Sequence, residues 1–160
     1  MKKPVLTVLF AAISFSSVAA EETIFRSGSM RAAHVIDEFS GKVETCGLYI
    51  GIPNRTEAWM VAINSGDGHV LVGRAGNFNA SGYMMKIDDG KVYEEGRKSR
   101  GGDQVFGTLT DNMMNEISKG QKIIIRAFPE NQFADTRTST YDLSGSAKVV
   151  QTYKDCINSL

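Results

Sequence analysis

From Cys46 onward Leu48, Ile50 and Ile52 recur at every second residue. An extended chain places all four on one face and leaves Thr45, Gly47 and Gly51 on the other, so Cys46 is expected to face a core. Residues 58–64 are apolar on both faces around Trp59, Val61 and Ile63, the pattern of a central strand. Ser65-Gly66-Asp67-Gly68 then turns the chain into a return strand over residues 69–72. Tyr83, Met85 and Ile87 alternate with Met84, Lys86 and Asp88. The Asp88-Asp89-Gly90-Lys91 turn, read with its glycine supplying the positive φ, predicts a hairpin returning over residues 91–95. Further strands are expected over residues 104–109, 122–128 (stopped by Pro129) and 136–143.

Two stretches change to a helical period. Thr110-Asp111 caps a short helix through Met113, Met114 and Ile117 that ends at Gly120. Near the end of the chain Val149, Val150, Tyr153, Cys156 and Ile157 recur at three- and four-residue steps, with Ser144-Gly145-Ser146 as the capping segment. Residues 94–103 combine charge with three glycines and read as a mobile exposed loop. The fold class expected is α+β, mainly β: an antiparallel sandwich or partial barrel with a short internal helix and a C-terminal helix.

The first residues change the compartment. Met1-Lys2-Lys3, an apolar run from Pro4 to Phe15 and Val18-Ala19-Ala20 before Glu21-Glu22 have the form of a secretory leader cleaved after Ala20. Residues 1–20 are thus expected to be a signal peptide and 21–160 a single periplasmic or secreted domain. The apolar run is too short to span a bilayer, and no transmembrane segment is expected in the mature chain. Removing the leader takes Lys2 and Lys3 from the 18 basic residues, leaving 16 against 18 acidic ones, a formal charge of −2. That balance disfavours nucleic acid as a partner.

Cys46 and Cys156 are the two cysteines. An even count in an exported chain points to a disulfide, which would fasten the terminal helix to an early strand. Their separation is too wide for a redox Cys-x-x-Cys pair, and neither His34 nor His69 completes a zinc spacing. Catalytic signatures are missing too, so no enzyme activity, cofactor or metal is expected. His34 reads as a structural histidine and His69 as a solvated strand end. Asp88-Asp89 and Gly66-Asp67-Gly68 read as turns, and Met84-Met85 and Met113-Met114 as core packing in place of copper ligation. Asn54-Arg55-Thr56 and Asn79-Ala80-Ser81 match glycosylation sequons but are discounted in a chain with a bacterial leader. Arg97, Lys98 and Arg100 form a basic cluster that could meet a partner.

The early Cys-Gly-Leu strand, the Lys86-Ile87-Asp88-Asp89-Gly90 hairpin, the helix ending at Lys119-Gly120, the strand from Lys122 to Ala127 and the ending from Asp142-Leu143-Ser144-Gly145-Ser146-Ala147 to Cys156 together give a layout. It resembles the invasion-associated locus B family over most of the mature chain. The resemblance implies a small β-rich envelope protein linked to host-associated life, with no catalytic residue to carry over. The function expected is binding to a protein partner in the envelope or host. An inhibitor or immunity protein against a wall-degrading enzyme is the alternative, and a periplasmic hydrolase using His34 or His69 the third reading.

Overall fold

The computed structural model describes residues 20–51, 57–64, 69–74, 80–95, 97–98, 104–131 and 133–160. Strands β1 (Ala20–Ser27), β2 (Met30–Ile36) and β3 (Val43–Ile50) form an antiparallel meander. It continues through β4 (Trp59–Asn64) and β5 (His69–Arg74). The chain then leaves for β6 (Ala80–Ile87) and β7 (Val92–Glu95), and returns as β8 (Arg97–Lys98) and β9 (Gln104–Thr108). Helix α1 (Asp111–Lys119) leads into the hairpin of β10 (Lys122–Pro129) and β11 (Arg137–Asp142), and α2 (Ser146–Ile157) closes the fold. Among the described residues the strands make a larger sheet, β1-β2-β3-β4-β5-β9-β8, and a smaller one, β11-β10-β6-β7. The fold is α+β and mainly β, built from two antiparallel sheets that do not close into a barrel.

The period-two pattern explains which faces meet. Met30, Leu48, Ile50 and Met60 of the larger sheet face Tyr83, Met85, Ile123 and Ile125 of the smaller one in a single buried cluster. Val149, Val150 and Tyr153 of α2 join that cluster, and α2 packs against α1 and against β1, β2 and β3. A disulfide joins Cys46 to Cys156 across 110 residues of sequence, with their Cα atoms 6.1 Å apart. Ser146 is buried, and its hydroxyl donates to the Ile117 carbonyl at 2.8 Å, tying the start of α2 to the end of α1.

Local chemistry differs from the expectation at three points. In the hairpin between β6 and β7 the residue with positive φ is Asp88 (47°), not Gly90. Its carboxylate accepts the backbone N–H groups of Gln121 and Lys122 at 3.0–3.2 Å, which offsets the strain of a left-handed non-glycine residue. The N-cap of α2 is Gly145 at φ 75°, with no side-chain cap; Ser144 bonds back to Asp142 at 2.7 Å. The third is the segment over residues 94–103, read as a loop. Glu94 and Glu95 lie in β7, and Arg97 and Lys98 pair with Phe106 and Val105 as β8, so strand pairing fixes that part of the backbone. Residues 96 and 99–103 lie outside the described residues, as do the leader apart from Ala20, the 65–68 turn, both sequon asparagines and Ile52.

Candidate functional site: the outward face of the larger sheet

Alternation that sends Leu48 and Ile50 inward sends Gly47 and Tyr49 outward. Tyr49 stands in register with Arg31 on one side and Val61 on the other. Val61 is in turn opposite Val72, Val72 opposite Phe106, and Phe106 opposite Arg97. One row of register positions therefore crosses the larger sheet as Arg26, Arg31, Tyr49, Val61, Val72, Phe106 and Arg97. Trp59 and Ile63 flank Val61 at two-residue spacing on the same face of β4. Ala33 and Val61 are buried yet stand outside the main core cluster, so this face carries a small apolar layer of its own.

The end of the row near β1 is tightly built. The Arg31 guanidinium lies 3.8 Å from the centroid of the Tyr49 ring. It also pairs with Glu21 at 2.6 Å and donates to Thr23 at 3.1 Å. The Tyr49 hydroxyl donates to Glu21, completing a triangle among β1, β2 and β3. Half-burial and the neighbouring Glu21 carboxylate push the Tyr49 phenol up to about 12, burial being the larger cause. Arg31 and Tyr49 are thereby held in fixed positions, with part of each still open to solvent. A preorganised cation and aromatic ring can receive a carboxylate, an aromatic ring or a flat apolar surface with little loss of side-chain freedom.

The other candidates named from sequence do not join this cluster. His34 is half-buried on β2, with its Nε2 3.5 Å from Glu22. His69 stands at the start of β5, paired with Asn64. Asp88 is occupied by its backbone bonds, while Asp89 lies 3.6 Å from Lys86. Met85, Met113 and Met114 are buried in the core, and Met84 faces away from it. Among the described residues, no group of three or more His, Cys, Asp or Glu side chains converges as a metal site. No described helix is long and apolar enough to cross a membrane. Arg97 falls at the far end of the cross-sheet row, Lys98 is its neighbour, and Arg100 lies outside the described residues. Sequence reading missed Glu21, Arg31 and Tyr49 as a group, and Trp59 as a residue of the same face, because these placements depend on which strands pair.

No family model matches the chain, and no curated protein matches it in sequence. Its fold is similar to the crystal structure of invasion associated protein B from Bartonella henselae. The TM-score is 0.61 at 16% identity, over 86% of this chain and 97% of that one. The layout resemblance read from sequence thus holds at the level of the fold. That neighbour is named for its association with invasion, and its name carries no enzymatic activity. The Cys46–Cys156 disulfide is consistent with an oxidising, exported location.

Proposed function

We propose that this chain is an exported binding domain of the bacterial envelope that engages a protein partner through the outward face of its larger sheet, without catalysis. The observation that carries this reading is the preorganised Arg31–Tyr49 pair, on a face that also presents Trp59, Ile63 and Phe106. Trp, Tyr and Arg are the residue types that most often dominate protein interfaces, particularly where their free conformations are already fixed. The row ends in a basic position at each side, Arg26 on β1, in register with Arg31, and Arg97 on β8. This arrangement suits a partner that offers an apolar centre flanked by acidic groups. Strand pairing of Arg97 and Lys98 gives the basic segment a backbone anchor at the edge of the sheet.

The fold similarity to an invasion associated protein supports an envelope role and a host-facing partner. An inhibitor of a wall-degrading enzyme would use the same anchors against one enzyme cleft, and is the second form of the proposal. The test is quantitative capture of envelope and host proteins on the oxidised protein and on a Trp59→Ala variant. A partner held through this face should lose roughly 2 kcal/mol, about thirtyfold in affinity, on that substitution. A partner captured equally by both proteins would refute the assignment of this face.

A further inference from the structure

The outward face of the smaller sheet has a different composition. β11 presents Thr138 and Thr140 to water, as an ordinary solvated strand does. Beside them Ile124, Met84 and Val92 sit on the same solvent side of β10, β6 and β7, and Val92 is 44% exposed. They line a groove of about 200 Å³ together with Met85, Lys86 and Arg126. The register places Arg126 beside Met84, and Ile124 beside Lys86. The cations therefore stand diagonally across an apolar floor.

We infer that this groove binds a single-chain anionic amphiphile of the fatty-acid type, with its carboxylate between Lys86 and Arg126 and its tail along Met84 and Val92. Three observations select that occupant. Charge comes first: among the described residues Arg126 makes no ion pair and is steadied by its Nε, which donates to Thr138 at 3.0 Å, so its terminal nitrogens are available. Among the described residues Lys86 has one ionic contact, 3.6 Å from the fully exposed Asp89, which an incoming anion can replace at small cost. Glu94, opposite Met84 on β7, disfavours the reverse orientation.

The second is backbone access. β6 lies between β10 and β7, and β10 lies between β11 and β6, so both edges of these strands are already paired. An extended peptide lying over β10 and β6 would find no main-chain groups to bond, and would have to move out to the edge strand β7 to find any, whereas an acyl chain needs none. The third is size. Pockets for drug-sized ligands run from about 300 to 1,000 Å³, and this smaller groove suits one flexible chain better than a ring system. The Met84 thioether supplies the adaptable, polarizable lining that such a chain favours, while Met85 turns its side chain into the core.

The test is a titration of the oxidised protein with decanoate below its micelle-forming concentration, following the Met84, Val92 and Ile124 methyl groups by nuclear magnetic resonance. Acetate and the neutral decyl maltoside serve as controls. Saturable shifts at these methyls with decanoate alone, weakened about two- to fivefold by either Arg126→Gln or Lys86→Gln, are expected. Both changes are at solvent-facing positions and leave the core intact. An equal response to decyl maltoside, shifts centred elsewhere, saturation indifferent to both substitutions, or binding only to anionic vesicles would overturn the inference. So would the lack of saturation with decanoate.

Discussion

A β-carbon on Gly47 would lie 2.9 Å from the edge of the Tyr49 ring, so the tyrosine folds back along its own strand over a residue that has no side chain. That placement sets the ring beneath Arg31 and within reach of Glu21. Gly47→Val is expected to swing Tyr49 away from the sheet and dissolve the triangle, at a cost of about 1 kcal/mol from the lost cation–ring contact. The readout is the Tyr49 phenol, which should titrate nearer the ordinary 10.0 than about 12 in the variant. An unchanged titration would show that the ring does not depend on the glycine.

The Cys46–Cys156 bond closes a loop of 110 residues. Chain entropy gives such a cross-link about 4–5 kcal/mol. Cys156→Ser should lower the denaturation midpoint substantially under oxidising conditions and leave the midpoint of fully reduced protein almost unaltered. Equal midpoints for oxidised wild type and variant would refute the staple.

Gly51 and Gly41 separate two costs of adding a methyl group. Both have positive φ, 88° and 67°. A β-carbon at Gly51 would lie 2.6 Å from the Tyr141 ring, whereas one at Gly41 meets nothing within 4 Å. Gly41→Ala should cost about 1 kcal/mol, from backbone strain alone. Gly51→Ala should cost about 1–3 kcal/mol more, because Tyr141, whose hydroxyl donates to the Ala58 carbonyl at 2.7 Å, must move. Equal losses in a urea titration would contradict the contact.

Burial is the largest cause that raises each of Tyr49, Tyr141 and Tyr153 from 10.0 to about 12. The folded state thus favours the neutral phenols. Their contribution to stability is complete below pH 10.0 and is lost as pH rises through about 12. The denaturation midpoint should fall steeply across that window, less steeply in Tyr153→Phe, with phenolate absorbance rising as the chain unfolds. A midpoint that stays level across the window would contradict this.

Much of the fold was legible because its signals are local. Thr110 caps α1 by accepting the Met113 N–H at 3.3 Å, and the inward series Cys46, Leu48, Ile50 follows from period two alone. The turn before β7 was placed correctly, although the strained residue in it is Asp88: its compensation comes from Gln121 and Lys122, more than thirty residues away. Arg97 and Lys98 read as loop because a two-residue strand has no periodicity, and only β9 beside it fixes their geometry. The candidate site was hidden for a related reason. Arg31, Tyr49, Val61 and Phe106 come from four strands, and their alignment depends on register across the whole sheet.

The central claim, that a protein partner docks on the outward face of the larger sheet, is tested most directly by site-specific photocrosslinking in intact cells. A photoreactive phenylalanine analogue would be placed at Ile63 or Phe106 on that face, and at Thr140 on the smaller sheet as a control. The account predicts a discrete adduct from the first two positions, weakened by Trp59→Ala and not formed from Thr140. Adducts of equal yield from both sheets, or none from the larger one, would contradict it.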